Sequence, residues 1–514
     1  MNEKEMVSLP IGIQSFEKLR SDNSLYVDKT QIIHLIAANA GYYFLSRPRR
    51  FGKSLLLSTL KELFSANRAL FDGLWIADKW NWEEKHPVIH ISFSSIGYKT
   101  QGLETAIARE LDKIAATYEV TLSEKNYDQK FKELIQGLAK TNKVVILIDE
   151  YDKPIIDYLT DIPQAKAHQN VLKSFYSVIK DSDPYIRFLF ITGVSKFSKV
   201  SIFSELNNLY DITFKKNYAA LTGYTQSELE HYFEPYIQKY TTAATRSAYL
   251  EKIKTWYNGY SWDGATFVYN PFSILGFFLS DQFHNFWFNT GTPTFLIKLM
   301  KERQLVEIEN VEVGELVFES YDIENLESIA LLFQTGYLTI KSVDEFGIYT
   351  LAYPNQEVKA AMLQHLIGAF SHSSGLTSKP TVVKLRHAFV ANDIAQVVKI
   401  INSLFKSIPS TIFIKSKEAY YHSVVFLVFQ YLGQFIDAEI NTSDGRIDAV
   451  VQTETVIYVI EFKLDQSAKA AIQQIEKKAY SEKYAASEKS IMALGINFSS
   501  ASKSIDDWQL TEIA

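Results

Sequence analysis

The chain has 514 residues, of which 47% are hydrophobic and 22% are charged, a composition typical of globular domains rather than of disordered segments. At about 100–200 residues per domain, this length predicts about three domains. The formal net charge of −6 excludes a chain that is basic throughout, so any nucleic-acid surface must be a local patch. The absence of cysteine excludes disulfides, cysteine-ligated zinc and cysteine nucleophiles.

Neither the start of the chain nor its interior contains a membrane signal. Residues 1–10 are polar and acidic, and they lack the basic start and apolar run of a signal peptide. No apolar run reaches the ~18–20 residues needed to span a bilayer. The most apolar window, residues 423–435, is interrupted by Gln430 and Gly433 and is predicted to be a buried helix. We therefore expect a cytoplasmic protein without membrane partners.

The first 221 residues alternate apolar runs with amphipathic stretches. Runs such as residues 42–45 and 144–148 predict strands, as do residues 88–93 and 188–191. Stretches such as residues 54–64 and 103–118 predict the helices between them. Strand–helix alternation is typical of a parallel α/β sheet covered on both faces. We predict one α/β domain over residues 1–221.

Two further domains are predicted after this one. Residues 222–353 show helical periodicity and many aromatic side chains, which predicts a mostly helical domain with an aromatic core. Residues 354–514 begin with helices up to about Leu432, and a strand, a hairpin, a helix and a last strand follow, which predicts a small α/β domain. Residues 371–380, rich in serine and glycine, are predicted to form a surface loop or hinge.

The sequence Gly-Lys-Ser follows the first apolar run and precedes an amphipathic stretch, which is the context of a Walker A phosphate loop. Gly52 would let the backbone approach the phosphates, Lys53 would reach the β- and γ-phosphates, and Ser54 would hold Mg²⁺. Arg47 stands where the usual motif has its first glycine, so the loop could be shaped differently. The alternative is an ordinary helix start with a solvated lysine.

The arginines of this loop have two interpretations. Each could contact phosphate charge or form an ion pair within the fold, and the sequence does not decide between these roles. Two of them are included among the candidate ATP contacts: Arg49 and Arg50.

An apolar run ending in two carboxylates, residues 143–150, matches a Walker B strand. Asp149 would hold Mg²⁺ directly or through water, and Glu150 would act as the general base on the attacking water. A strand ending in a polar turn is the alternative, but the two motifs in order favour a P-loop NTPase. A third strand ends in small polar residues, so Thr192 and Ser195 are candidates either for contacting the γ-phosphate or for a simple turn.

Two strands near the end of the chain, residues 446–452 and 456–463, flank a short turn. Antiparallel pairing about that turn puts Asp448 opposite Glu461, with Cβ atoms about 4.5–5.5 Å apart. Two adjacent carboxylates favour a hard divalent cation, Mg²⁺ or Mn²⁺. Lys463 shares the face of Glu461 and could orient water and stabilise phosphodiester charge. A surface Glu–Lys ladder is the alternative, but the second strand is too apolar to be exposed.

Other residues could complete this second site. Glu418 on the preceding helix and Glu439 before the hairpin are candidate metal ligands, although either could be structural. Gln474 and Lys478 share one face of a predicted helix over residues 468–480 and could contact the substrate backbone or cap the sheet.

Several motifs occurring in order resemble the bacterial AAA-ATPase-like family. They are Leu9-Pro-Ile-Gly-Ile, Tyr26-Val-Asp-Lys-Thr, Arg47-Pro-Arg-Arg-Phe-Gly-Lys-Ser, Ile148-Asp-Glu-Tyr-Asp, Tyr257-Asn-Gly-Tyr, Tyr269-Asn-Pro and Thr290-Gly-Thr-Pro. In that family the Arg-Pro-Arg-Arg loop is the usual form, so Arg47 looks like a family trait. The resemblance implies a P-loop parallel sheet and ATP binding through four residues: Lys53, Ser54, Asp149 and Glu150.

The C-terminal motifs are similar to the PD-(D/E)XK nuclease superfamily. They are Gly445-Arg-Ile-Asp, Glu461-Phe-Lys and Gln474-Ile, although the helix departs from the Q-x-x-x-Y pattern of some relatives. The resemblance implies a restriction-endonuclease-like α/β domain. It also implies that Asp448, Glu461 and Lys463 are catalytic, and that Asp448 and Glu461 hold the metal.

We therefore predict a protein that binds and hydrolyses ATP with Mg²⁺ and controls a Mg²⁺- or Mn²⁺-dependent nuclease. Nucleic acid is the expected partner, DNA is favoured over RNA, and homo-oligomerisation is left open. Defence or mobile-element processing is the expected setting. The alternative is a nucleotide-switched protein that binds nucleic acid or a partner without cleavage. A third interpretation makes the last domain purely structural.

Overall fold

The computed structural model describes residues 6–196, 203, 206, 208–288, 294–303, 305–318, 327–371, 375–406, 417–443, 446–478, 484 and 487–513. Within these ranges the side chains of residues 294–295, 375–377, 406, 417–422, 439–443 and 446–448 are not described. The chain divides into two compact units, residues 1–290 with 308–357, and residues 291–307 with 358–514. The three-domain division at 221 and 353 stays a prediction.

A parallel five-stranded sheet lies at the centre of the first unit, in the order β2-β3-β4-β1-β5. Its strands are β1 (Gly41–Ser46), β2 (Val88–Ser92), β3 (Val144–Asp149), β4 (Ile186–Gly193) and β5 (Leu209–Asp211). The four strands predicted from apolar runs are confirmed, with ends that shift by no more than two residues. The short edge strand β5 was not predicted, because three partly exposed residues leave no apolar run to detect.

Helices cover both faces of this sheet. In β3, Ile146 and Ile148 pack into the apolar cluster on one face, while Val145 and Leu147 pack into the cluster on the other. All are fully buried, which explains why the strand is a continuous apolar run rather than an alternating one. One face is covered by the helices Leu103–Thr117, Tyr127–Leu138 and Ile162–Asp181, and the other by Phe16–Ser21, Thr30–Ala37 and Lys53–Phe64.

The region after this sheet is mostly helical, as predicted. Its helices are Gln226–Tyr232, Glu234–Tyr240, Arg246–Tyr257, Pro271–Ser280 and Ser328–Thr335. Most of the aromatic side chains predicted as core are buried, among them Tyr257, Trp262 and Trp287, whereas Phe286 is half-buried. A small antiparallel sheet in the order β6-β8-β7 was not predicted: β6 (Val311–Val313), β7 (Thr339–Val343) and β8 (Tyr349–Ala352). The motif at residues 290–293 lies outside the described residues.

The second unit carries a mixed five-stranded sheet in the order β13-β12-β11-β10-β9. The strands are β9 (Asp437–Ser443), β10 (Arg446–Gln452), β11 (Val456–Leu464), β12 (Ser490–Ser499) and β13 (Ser504–Glu512). Helix Ala468–Lys477 connects β11 to its parallel neighbour β12, and the remaining pairs are antiparallel. The predicted hairpin, helix and last apolar strand are confirmed. Strand β13 was missed because its sequence is largely polar and exposed.

Helices precede this sheet: Thr294–Glu302, Gln356–Ser371, Gly375–Val390, Ile394–Lys406 and Lys417–Leu432. The predicted loop at residues 371–380 is wrong where the structure describes it, because Gly375–Val390 is a helix that includes Pro380. Ser378, Val382 and Leu385 are buried at helical spacing, so packing overrides the local loop signal.

The most apolar window of the sequence is a buried helix rather than a span. Lys417–Leu432 covers residues 423–432 of this window, and Val424 and Leu427 are buried there. Residues 433–435 form a turn after the helix. Among the described residues, no helix combines the length and the apolarity that crossing a membrane requires.

Candidate functional site

The phosphate loop lies between the end of β1 and the helix that begins at Lys53. Arg50 and Gly52 both adopt left-handed backbone conformations, with φ values of 69° and 80°. Such a conformation is uncommon for a residue with a side chain. Arg47 is not among the residues with positive φ. The turn is therefore made later in the loop, which explains why this sequence does not need a glycine at position 47.

Arg47 is held within the fold. Its side chain is fully buried, and Nη1 donates hydrogen bonds to the carbonyl oxygens of Ser46 and Thr213, both at 2.9 Å. The guanidinium lies 3.8 Å from the centre of the Trp262 ring. Burial lowers the pKa of Arg47 to about 9. Of the two roles left open by the sequence, this geometry favours structural support of the loop.

Aromatic residues far along the chain support the rest of the loop. The guanidinium of Arg50 lies 3.7 Å from the centre of the Phe272 ring. The ring of Phe51 meets Tyr260 edge-on at a centroid distance of 4.8 Å. A loop built from arginine, proline and phenylalanine therefore takes its shape from packing rather than from glycine flexibility.

A buried carboxylate lies behind this support. The indole nitrogen of Trp287 donates to the carbonyl oxygen of Arg49 at 3.2 Å. The backbone N–H of Trp287 donates to Glu357 at 2.9 Å, and the Ser273 hydroxyl donates to the same carboxylate at 2.7 Å. Glu357 is fully buried, and burial raises its pKa to about 7. Nothing in the sequence singled out Glu357, because an acid at the start of a helix is ordinary.

Lys53 is buried at the first position of its helix. Its Nζ donates to the carbonyl oxygens of Arg47 and Pro48, both at 2.9 Å. Burial lowers the pKa of Lys53, and the charges of Asp149 and Glu150 oppose that shift. The side chain is folded back on its own loop through neutral partners.

Three of the predicted residues meet at the carboxyl ends of the strands. The Ser54 hydroxyl donates to Oδ2 of Asp149 at 2.6 Å, and the Thr192 hydroxyl donates to Oδ1 at 2.7 Å. Asp149 ends β3 and Thr192 lies near the end of β4, so parallel pairing brings them to one edge of the sheet. Hydroxyl and carboxylate oxygens are the ligands that Mg²⁺ prefers. This donor set fits a magnesium–nucleotide complex.

Glu150 follows Asp149 in a left-handed conformation with φ of 52°. Its Oε2 is buried and has no hydrogen-bond partner among the residues that the structure describes. Burial raises the pKa of Glu150, while the charge of Lys53 opposes the shift. A carboxylate oxygen without a protein partner at this edge is suited to bind a water or a ligand.

Ser195, the other candidate at the end of β4, contacts a different acid. Its hydroxyl and its backbone N–H both donate to Oδ2 of Asp152 at 2.6 Å. Burial raises the pKa of Asp152, and these hydrogen bonds oppose that shift. The structure brings Thr192 to Asp149 but turns Ser195 toward Asp152, so the turn interpretation suits Ser195 better.

The phosphate loop faces a cavity of about 560 Å³. Its wall includes most of the candidate ATP contacts, Arg49, Arg50, Gly52, Lys53 and Ser54, together with the candidate base Glu150. A volume between about 300 and 1,000 Å³ is typical of small-molecule sites.

The second site lies on the β10–β11 hairpin of the other unit. Asp448 pairs with Glu461 in the antiparallel register, as the turn predicted. Glu461 is fully buried, and Nζ of Lys463 donates to its Oε1 at 2.6 Å. The same Nζ donates to Oε1 of Gln474 at 2.5 Å. The site thus holds a buried carboxylate, a lysine and an amide in one connected group.

Three candidate residues of this site have side chains that the structure does not describe. The side chains of Asp448, Glu418 and Glu439 lie outside the described part of the structure. Among the residues whose side chains are described, no group of three or more His, Cys, Asp or Glu residues is placed to hold a metal. Gln474 joins the site through Lys463, whereas Lys478 directly follows the helix Ala468–Lys477 as its C-cap.

The fold and the two sites define an ATPase-like protein with a nuclease-type C-terminal domain. Residues 10–203 match the family described as predicted AAA-ATPase, and residues 416–508 match the PD-(D/E)XK nuclease superfamily. The chain belongs to this AAA-ATPase-like family. It is 40% identical over 512 residues to the "Uncharacterized protein in vnfD 5'region" of Azotobacter chroococcum mcd 1, and the match covers 97% of both chains.

Proposed function

We propose that this protein binds and hydrolyses ATP at the phosphate loop and thereby controls a metal-dependent nuclease at the β10–β11 hairpin. The observation that carries the proposal is that one chain contains two such sites. In the first, Lys53 begins the helix after the phosphate loop, and Ser54 next to it donates to Asp149 at the edge of a parallel sheet. In the second, Lys463 pairs with the buried Glu461.

In the ATPase site, each side chain has a separate task. Lys53 exchanges its carbonyl partners for oxygens of the β- and γ-phosphates, and Ser54 and Asp149 hold Mg²⁺, which when bound neutralises phosphate charge. Glu150 takes a proton from the attacking water, and its raised pKa makes it a stronger base. Thr192 keeps the Asp149 carboxylate in place. Further phosphate contacts come from the loop: Arg49, Arg50 and the backbone of Gly52.

In the nuclease site, Asp448 and Glu461 hold a divalent cation, which when bound polarises the scissile phosphate. Lys463 orients the attacking water and stabilises the charge that develops on the phosphodiester. Gln474 holds the Lys463 ammonium in position. Glu418 and Glu439 are candidates for a further ligand. The proposed substrate is DNA, in defence or in the processing of mobile elements.

We propose that the control of one site by the other passes along the chain, through a helix that both units share. Helix Gln356–Ser371 begins with two residues of the first unit and continues in the second. Glu357, in its first turn, is hydrogen-bonded to Trp287, which in turn contacts the phosphate loop. A change of the loop on nucleotide binding would therefore act on the start of this helix.

The decisive experiment is a cleavage assay on plasmid DNA, single-stranded DNA and RNA, with Mg²⁺ or Mn²⁺ and with or without ATP. Cutting should disappear in Asp448→Ala, and the effect of ATP on cutting should disappear in Lys53→Ala. Matched controls are Lys61→Ala, on the exposed face of the same helix as Lys53, and Asp437→Ala, exposed on the neighbouring strand. Intact ATP hydrolysis without metal-dependent cutting of any substrate would favour the nucleotide-switched binding protein instead.

A further inference from the structure

The acidic motif at the end of β3 contains two residues that the proposed reaction does not use. The motif is Ile148-Asp-Glu-Tyr-Asp, and its first two acids are the proposed magnesium ligand and the proposed base. Tyr151 and Asp152 have no assigned task. Both side chains are buried, that of Tyr151 fully, and Asp152 is only 1% exposed. A buried carboxylate is stable only when it is hydrogen-bonded, so the partners of Asp152 indicate what it holds.

The Asp152 carboxylate accepts hydrogen bonds from the residues at the end of β4. The backbone N–H of Val194 donates to Oδ2 at 3.0 Å, and the N–H and hydroxyl of Ser195 both donate to the same oxygen at 2.6 Å. Hydrogen bonds to an ionised acceptor are about twice as strong as neutral ones. Asp152 therefore holds the chain directly after the strand end that carries Thr192.

The neighbouring Tyr151 holds the same stretch of chain at two points. Its backbone N–H donates to the carbonyl oxygen of Thr192 at 3.0 Å, and its hydroxyl donates to the carbonyl oxygen of Ser195, also at 3.0 Å. A Cβ atom at Gly193 would lie 2.4 Å from the Tyr151 ring and 2.9 Å from the Asp152 carboxylate. Residues 192–195, which we call the β4 end segment, are thus packed tightly against the turn that follows β3.

The phosphate loop also holds the β4 end segment. The backbone N–H of Arg47 donates to the carbonyl oxygen of Gly193 at 3.1 Å. The hydroxyl of Ser46 donates to the carbonyl oxygen of Val194 at 2.7 Å. The segment is therefore hydrogen-bonded to both motifs of the proposed ATP site. A shift of this segment would move its first residue, whose hydroxyl contacts Asp149.

We propose that Asp152 is a positioning residue for ATP hydrolysis and that it acts through Thr192. Its carboxylate fixes the β4 end segment, so that the Thr192 hydroxyl stays on Oδ1 of Asp149, at 2.7 Å, during the reaction. Asp152 itself contacts neither the nucleotide nor the metal. The inference rests on the proposed ATP function and gives a task to a motif residue that this function leaves unused.

The test measures ATP turnover and ATP affinity for four forms of the full chain: wild type, Asp152→Asn, Thr192→Val and the double variant. Asp152→Asn removes the negative charge and keeps the shape of the side chain. We expect it to lower turnover by about 10- to 100-fold, because a displacement of about 1 Å can have an effect of this size, and to leave ATP affinity unchanged. Thr192→Val should also lower turnover. Adding Asp152→Asn to Thr192→Val should cause no further loss, because the hydroxyl through which Asp152 acts is already absent.

Two further variants separate this role from a general loss of folding. Ser195→Ala removes one of the donors to Asp152 and keeps its backbone N–H, so it should lower turnover less than Asp152→Asn does, and only when Thr192 is present. Asp78→Asn, exposed before β2, is the matched control and should hydrolyse ATP at the wild-type rate. Thermal unfolding shows whether each variant is folded at the assay temperature.

The outcomes separate this inference from the function on which it rests. If Asp152→Asn lowers turnover equally with and without the Thr192 hydroxyl, Asp152 supports the fold in general and the inference is wrong. Full turnover in Asp152→Asn or in Thr192→Val would also overturn it, while the ATP function would stand. If Asp152→Asn does not fold, Ser195→Ala decides, and an equal loss in both Thr192 backgrounds counts against the inference. If wild type does not hydrolyse ATP, both proposals fall.

Discussion

The two candidate sites each contain a lysine whose side chain is largely shielded from solvent, but the lysines have different partners. Lys53 donates to two neutral carbonyl oxygens of its own loop. Lys463 donates to the carboxylate of Glu461 and to the Gln474 amide. The first lysine can exchange weak partners for an anion, which suits phosphate binding. The second is already ion-paired, which suits a site where the acid holds a cation and the lysine remains beside it.

The sites also differ in where their supporting residues come from. The phosphate loop contacts Thr213, Trp262 and Trp287, all far along the chain. The second site joins two neighbouring strands and the helix that follows them, within residues 446–477. Distant substitutions should therefore change the first site, whereas the second should respond mainly to its own side chains.

The largest effect is expected at the first site from Glu150→Gln. The substitution removes the proposed base but keeps the shape of the side chain, so ATP hydrolysis should fall by about 10²–10⁴-fold while ATP binding is retained. Phosphate release and ATP affinity measure the two quantities. Glu104→Gln, exposed on the helix Leu103–Thr117, is the control. Hydrolysis above about a tenth of the wild-type rate would assign the base to another residue.

At the second site, Lys463→Met should destabilise the second unit by about 3–5 kcal/mol, because the buried Glu461 carboxylate loses its ammonium. The double variant Glu461→Gln/Lys463→Met removes both charges and should recover most of that stability. It should still fail to cut DNA. Urea unfolding and the cleavage assay measure these effects. A double variant that is no more stable than Lys463→Met would show that the ion pair is not the source of the loss.

The contrast explains what could be predicted from the sequence. The pairing of Asp448 with Glu461 follows from counting residues outward from a short turn, since antiparallel register is a local property. The meeting of Ser54, Asp149 and Thr192 follows from parallel strands ending at one edge. These predictions needed only local pattern and sheet geometry.

The support of the phosphate loop could not be predicted in this way. The cation–π contact of Arg47 with Trp262 depends on tertiary packing between residues far apart in sequence. The same holds for Glu357, whose role appears only when Trp287 and Ser273 are in place. The turn at Arg50 also escaped prediction, because an arginine with positive φ has no sequence signature.

The support that Glu357 gives to the phosphate loop through Trp287 can be tested by the pH dependence of the unfolding free energy. Its pKa is raised to about 7, so the folded state holds the proton more tightly than the unfolded state does. The stability that it contributes is complete below about pH 4.5 and is lost as the pH rises through about 7. Glu357→Gln does not titrate, so this loss, on the order of 3 kcal/mol, should be absent from its unfolding free energy.

The measurement is the unfolding free energy of the first unit between pH 4.5 and 8, for wild type and for Glu357→Gln. Glu345→Gln, exposed in the β7–β8 hairpin, should follow the wild-type curve. Parallel curves for wild type and Glu357→Gln would mean that the carboxylate has an ordinary pKa. In that case the support behind Trp287 would not depend on a protonated acid.

The smallest effect is expected from Gly336→Ala, because residue 336 contacts the phosphate loop only through packing. A Cβ atom at Gly336 would lie 2.7 Å from Cβ of Pro48, whereas a Cβ atom at Gly347 would have nothing within 4 Å. Both glycines have positive φ, at 90° and 77°, so alanine strains both backbones similarly. The difference between the two variants isolates the contact with Pro48.

Overpacking costs about 1–3 kcal/mol, and a shift of the loop would relieve it. We therefore expect Gly336→Ala to weaken ATP binding by up to about tenfold. Gly347→Ala should lower stability alone and leave ATP affinity unchanged. Calorimetric titration of both variants with ATP gives the comparison. If Gly336→Ala and Gly347→Ala bind ATP with equal affinity, the loop keeps its shape without the distant segment. The contrast between a site supported from afar and a site built locally would then not hold.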